Sequence, residues 1–191
     1  MTESAVPHKP LSVEEYLKLE EVSQRRHEYV AGTIYAHAGG TRRHDVISVN
    51  ILALLWNTAR GGSCRVHSGD RMLRVDDNVF YYPDVMVVCP PEDEQRADEV
   101  LFEEAPCLVV EVTSPSTEAI DRREKLLAYR KLSSLKAYLV VDQEEMRVER
   151  HWRDETGQWW RAEAVGPEGV VPVPCPEVEL TLAQIYEGLY A

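Results

Sequence analysis

The run Leu108-Val109-Val110-Glu111-Val112 constrains this chain more than any other stretch. Successive apolar positions suit a strand covered on both faces, as at the centre of a sheet with helices packed against it. Glu111 puts a charge where burial penalises one. A buried charge without a partner is costly, so such a group is paired, protonated or bound to a cation. The fold therefore has to bring something to Glu111.

Two other stretches can supply it. Tyr82-Pro83-Asp84 leads into Val85-Met86-Val87-Val88, a second buried strand with a carboxylate at its mouth. Asp121 to Tyr129 reads as a helix carrying Lys125, with Tyr129 one turn further on. If the two strands are neighbours, Asp84 and Glu111 converge. Two close carboxylates are stable only with a shared proton or a cation between them. Oxygen ligands without a Cys/His cluster select Mg²⁺ or Mn²⁺. Such an ion polarises a phosphodiester and lowers the pKa of a bound water. The Lys125 ammonium would orient that water or neutralise developing charge.

The rest of the chain reads as scaffold. Ser12-Val13-Glu14-Glu15 fits a capping box opening a short helix to about Leu19. Arg26 to Val30, the turn Ala31-Gly32, and Thr33 to Ala36 form a strand, turn and strand. His44 to Ala59 is a long helix with Ile47, Ile51, Leu54 and Leu55 at helical spacing. Arg65-Val66-His67 and Met72 to Val75 are short strands, and Pro90 to Glu104 is an acidic surface excursion. Ala119 to Leu132 is a second long helix, with Ile120, Leu127 and Leu126 expected to face the core. With Tyr138 to Val141 it completes a βαβ unit. Arg147 to Trp152 and Trp159 to Ala164 follow as a meander, and Thr181 to Leu189 as a closing helix. The fold class expected is α/β, in one domain over residues 1–191, with a core at about 11–142 and the meander and helix at 143–191. Cys64, Cys89, Cys107 and Cys175 are widely spaced with no CxxC, and read as isolated small residues rather than a zinc site or disulfide frame.

The ordered set is family-like. Tyr-Pro-Asp before an apolar strand, Val-Glu-Val-x-Ser-Pro-Ser-Thr from Val110, Asp-x-x-x-Lys-x-x-x-Tyr from Asp121 and Tyr-Leu-Val-Val-Asp from Tyr138 resemble the bacterial Uma-type restriction endonuclease family of the PD-(D/E)xK nuclease superfamily. Glu28-Tyr29-Val30-Ala31-Gly32, and His44 before a long helix, extend the resemblance over roughly Leu11 to Asp142. It implies a restriction-endonuclease-like mixed central sheet flanked by helices, Mg²⁺ bound by Asp84 and Glu111, and hydrolysis of DNA. One position departs from the pattern. The third residue of the E-x-K element is Thr113, and the lysine has moved to the following helix as Lys125.

Each residue also has a plainer reading. Asp84 suits a turn, Lys125 suits a solvated helix face or a pair with Asp121, and Glu28 and His44 suit local hydrogen bonds. Tyr129 suits the core, and Trp152, Trp159 and Trp160 suit packing on the meander. Glu28, His44 and Tyr129 are accessory candidates; Asp84, Glu111 and Lys125 are the catalytic ones.

The net charge of −12 argues against a protein that coats nucleic acid. Locally the balance reverses: residues 42–74 and 121–136 each hold six basic and two acidic side chains. Arg42-Arg43-His44 could touch phosphate. The leading expectation is a metal-dependent DNA endonuclease. The alternatives are a nuclease-fold binding or assembly module without catalysis, and an enzyme for a small phosphorylated substrate. No apolar run has the length of a membrane span. Residues 1–10 lack a secretory pattern, so a cytoplasmic protein is expected. Cleavage of both strands of a duplex uses two sites, so a homodimer is expected.

Overall fold

The computed structural model describes residues 10–37, 40–89, 100–114 and 120–190, the side chains of Asp121 and Arg122 excepted. The segment before Pro10, most of the acidic excursion from Pro90, the end of the motif from Val110 (Pro115 to Thr117) and any Asp121 pairing thus lie outside the described residues. The architecture is α/β, with mixed sheet and flanking helices as the sequence implies.

Helix α1 (Val13–Val22) opens on the expected capping box, Ser12 and Glu15 satisfying each other's backbone N–H. Strands β1 (His27–Val30) and β2 (Thr33–Ala36) form a hairpin. Its two turn residues, Ala31 (φ 48°) and Gly32 (φ 94°), both have positive φ, as a two-residue turn matching strand twist requires. Helix α2 (Arg42–Ala59) starts on Thr41, whose hydroxyl accepts from the His44 N–H, and buries Ile47, Ile51 and Leu55.

The next strands are β3 (Arg65–Ser68), β4 (Met72–Asp76), β5 (Val79–Tyr81), β6 (Val85–Val88), the two-residue β7 (Phe102–Glu103) and β8 (Pro106–Thr113). A crossover returns the chain to β9 (Ala137–Asp142), and β10 (Arg147–Arg153) and β11 (Trp159–Val165) come next as the meander. A six-stranded sheet runs β11-β10-β9-β8-β6-β3, with β8 and β9 parallel and the other pairs antiparallel. A five-stranded sheet runs β2-β1-β5-β4-β7. The segment Tyr82-Pro83-Asp84 carries the chain from β5 in one sheet to β6 in the other.

Side chains of β8 alternate between two cores. Leu108, Val110 and Val112 pack with α2, and Val109 packs with Met86, Tyr129 and Tyr138 on the opposite face. A third core of Tyr16, Tyr29, Met72, Phe80 and Tyr82 ties α1 to the smaller sheet.

Four expectations need correction. The crossover helix is short: one π-helical turn (Ile120–Lys125) leads directly into α3 (Leu126–Tyr129). A π turn bonds i to i+5 and shifts the register of the residues after it. The inward face is therefore Lys125, Ala128 and Tyr129, while Ile120 and Leu127 are 44% and 65% exposed. The closing helix, α4, covers only Leu182–Ile185. It comes after a hairpin of β12 (Val170–Pro174) and β13 (Glu177–Thr181) that Pro172 and Pro174 conceal in the sequence. The cysteines are not isolated: Cys64 bonds Cys89 and Cys107 bonds Cys175. Arg43 is not free for phosphate, since it donates to Gln143 O at 2.9 Å and to the Tyr190 hydroxyl at 2.6 Å. Among the described residues, no helix is long and apolar enough to cross a membrane.

Candidate active site

The site forms where the two sheets meet. Met86 on β6 and Val109 on β8 are register partners, and both belong to the core beneath the crossover. Asp84 lies two residues before Met86, and Glu111 two after Val109. With a period of two, both carboxylates belong to that same side. The Val112 N–H donates to Asp84 Oδ2 at 2.7 Å, which fixes Asp84 beside the strand that carries Glu111. His44 Nε2, from the first turn of α2, lies 3.1 Å from Asp84 Oδ1.

Glu111 is 4% exposed and Lys125 is 6% exposed. Lys125 Nζ donates to Glu111 Oε1 at 3.1 Å and stands 2.9 Å from Glu28 Oε1. The Tyr129 hydroxyl donates to the same Glu111 oxygen at 2.7 Å. Burial first, and the Glu111 charge next, push that hydroxyl well above its ordinary pKa, so it remains a donor. Tyr81 completes the floor, its ring 5.3 Å from Lys125 Nζ. Burial and then the Glu28 charge raise its pKa to about 12.

Glu28, His44, Asp84, Glu111 and Lys125 line one cleft of about 550 Å³. Tyr129 stands behind Glu111. The cleft also takes in Thr41, Ser114 and Gln143, which the sequence did not single out. Thr41 donates to Gln143 Oε1 at 2.9 Å, tying the start of α2 to the end of β9. No local signal marks Gln143, because its place depends on the whole sheet order. Trp152, Trp159 and Trp160 do not line the cleft. Trp159 packs under the guanidinium groups of Arg130 and Arg153, at 5.3 and 5.0 Å, and Trp152 under Arg150 at 4.1 Å.

A family model described as "Putative restriction endonuclease" matches residues 13–183, nearly the whole chain. The chain belongs to this family, Uma2. Two relatives are proteins of Synechocystis sp. known as "Uncharacterized protein slr1290" and "Uncharacterized protein sll1609". The first is 38% identical over 156 residues, which are 81% of this chain and 80% of the relative. The second is 30% identical over 159 residues, 83% and 89% of the two chains. The fold is also that of a crystal structure from Anabaena variabilis described as "a putative nuclease belonging to DUF820". It superposes with a TM-score of 0.75 at 20% identity, over 93% of this chain and 98% of the other. The Uma2 chain thus has a nuclease-like fold related to restriction endonucleases.

Proposed function

We propose that this Uma2 protein is a metal-dependent DNA endonuclease, hydrolysing phosphodiester bonds with Mg²⁺ or Mn²⁺ held by Asp84 and Glu111. The observation that carries the reading is the convergence of Glu28, Asp84 and Glu111 with Lys125 on one cleft. Stability alone gives little reason to gather three carboxylates at one place, since like charges there raise each other's energy.

The donor set fits the ion. Asp84 and Glu111 offer hard oxygens, and Mg²⁺ is commonly bound through one or two carboxylates plus substrate phosphate. Bound there, the ion would act as a Lewis acid toward a phosphoryl oxygen and make water a better nucleophile. The chain's own groups do the positioning. The Val112 N–H and His44 hold the two oxygens of Asp84, and Tyr129 holds Oε1 of Glu111. Lys125 brings a three-donor ammonium to the cleft, where it can hydrogen-bond a phosphoryl oxygen as negative charge builds. DNA is the proposed partner, and a homodimer would offer one cleft to each strand of a duplex.

One observation favours the alternative of a non-catalytic module: Lys125 already spans Glu28 and Glu111. Cleavage of supercoiled plasmid with Mg²⁺ or Mn²⁺, against the same reaction with chelator, separates the two. Nuclease activity predicts metal-dependent nicking that Asp84→Asn abolishes. Intact plasmid in every metal condition would favour the module. Turnover of a small phosphoester alone would favour a small phosphorylated substrate.

A further inference from the structure

The four cysteines come from four separate segments and meet at one point, away from the acidic cleft. Cys64 precedes β3, Cys89 comes directly after β6, Cys107 lies on β8 and Cys175 lies in the turn between β12 and β13. The two disulfides touch. Cys89 Sγ is 3.1 Å from Cys175 Sγ and 3.5 Å from Cys107 Sγ. The sulfurs of Cys64, Cys89 and Cys175 all lie within 4.8 Å of one another. Two separate structural disulfides have no need of such proximity; either bridge would join its strands if the other stood far away.

We propose that these four sulfurs form a tetrathiolate Zn²⁺ site in the reduced chain, and that the two disulfides are the metal-free, oxidised form of the same cluster. Zn²⁺ bound by four thiolates is tetrahedral, with Zn–S of about 2.3 Å. That geometry sets the sulfurs roughly 3.8 Å apart. The cross-bridge separations of 3.1 and 3.5 Å are already near this value. Once the bonds are reduced, side-chain rotations would have to open the bonded pairs and bring the Cys107 sulfur, which lies outside the three-sulfur group, toward Cys64. Softness selects the metal: a pure sulfur set suits zinc and not the hard ion of the acidic cleft.

The Arg65 guanidinium donates to the carbonyls of Gly62, Ser63 and Cys64, at 2.9, 3.1 and 3.0 Å, and so braces the segment that carries Cys64. Cys107 and Cys175 are each 6% exposed, so a closed, fully protein-ligated site is what the burial allows. Such sites are structural and leave no open position for substrate.

The site's work is to clasp the C-terminal hairpin to the central sheet. Cys175 is the hairpin's ligand; the other three belong to the sheet or its connections. A peroxide would convert the zinc-bound form to the disulfide form, and a dithiol reductant supplying four electrons would reverse it. Two equivalents of hydrogen peroxide and four protons accept the four electrons of the thiolates, giving two disulfides, four waters and one released Zn²⁺.

The test uses the full chain, expressed with zinc and purified under reducing conditions. Native mass spectrometry and metal analysis should find about one zinc per chain, the stoichiometry of a single four-sulfur site. Co²⁺ exchanged for zinc should give the intense visible spectrum of a tetrahedral thiolate complex. Peroxide should release the metal and leave bridges 64–89 and 107–175 on peptide mapping. Cys175→Ser should lose the zinc. Should that variant not fold, Co²⁺ titration of the unaltered reduced chain decides alone. Absence of a sulfur-to-cobalt charge-transfer band, or four thiols alkylated as fast with zinc as without it, would overturn the proposal. So would zinc bound as tightly by Cys175→Ser as by the unaltered chain.

Discussion

The Tyr129 hydroxyl and the Lys125 ammonium reach the same oxygen of Glu111, at 2.7 and 3.1 Å. The two donors lie four residues apart on the crossover, and both point down onto β8. Glu111 is therefore a buried carboxylate with partners, not one left to repel Asp84. Its replacement should cost stability, because the partners lose their acceptor.

Tyr129→Phe isolates one of those bonds. The ring packing against Tyr81 and Tyr138 survives, and only the hydroxyl goes. Hydrogen bonds to charged groups contribute about 1.5–3 kcal/mol, and denaturant unfolding should show a loss in that range. An unchanged midpoint would mean Glu111 finds an equivalent donor elsewhere.

Lys125→Ala leaves the buried Glu111 and the half-buried Glu28 without their shared cation. Removing one partner of a buried pair typically costs about 3–5 kcal/mol. Mg²⁺ should restore part of that loss through binding to the folded state, so the variant's melting temperature should rise with Mg²⁺ more than the parent's. Cleavage should fall by roughly 10²–10³-fold, as for loss of one donor to developing negative charge. Thr113 lies two residues after Glu111, on the same face of β8. Adding Thr113→Lys should recover part of the rate in single-turnover assays if the place of the ammonium matters more than its attachment.

Arg42 and Arg43 should separate cleanly. Arg42 is exposed next to cleft residues Thr41 and His44. Arg42→Glu should weaken DNA binding about equally for all sequences, because phosphate contacts carry no base information. Arg43 is held by Gln143 O and Tyr190 and packs 4.9 Å from the Tyr190 ring, so Arg43→Glu should lower thermal stability and change DNA binding less than Arg42→Glu does. A gel-shift series and a melting curve for each variant check this.

Stability should fall with acid through the β10 pair of Glu149 and His151, which lie 2.6 Å apart. Burial lowers the His151 pKa below 6.5, against the opposing pull of Glu149. Burial would raise Glu149, yet Arg161 and His151 hold it below 4.5. In both cases the unfolded chain takes up its proton at the higher pH. Each group's contribution is thus complete above its unfolded value and lost as pH falls toward its folded one. Melting temperature should drop on acidifying below 6.5 and again below 4.5. His151→Gln should flatten the upper step; a melting temperature that rises toward acid would contradict the assignment.

Glu111 was legible in the sequence because a charge in an apolar run violates the local rule for a strand, and Asp84 because it opens the neighbouring run. The capped helices and the βαβ unit were legible from periodicity and caps. Lys125 was half legible: its residue type and order fit, but helical spacing assigned the buried face to Ile120 and Leu127, and only the π turn brings Lys125 inward. Glu28 reaches the cleft across a boundary between sheets that no window of sequence spans. The cysteine cluster was illegible for the same reason, as its members are 18 to 111 residues apart and meet only through sheet order and the final hairpin. The hairpin itself was hidden because prolines within a run argue against a strand unless it pairs on one side only, as β12 does with β13.

Whether Asp84 and Glu111 share one divalent ion is decided most directly by a crystal of the unaltered chain soaked in Mn²⁺, with anomalous differences measured at the manganese edge. One anomalous peak is expected in the cleft, bonded to a carboxylate oxygen of each residue, and absent from Asp84→Asn crystals treated identically. A cleft without a peak at saturating Mn²⁺, with Lys125 still spanning Glu28 and Glu111, would contradict the shared ion and with it the nuclease mechanism built on it.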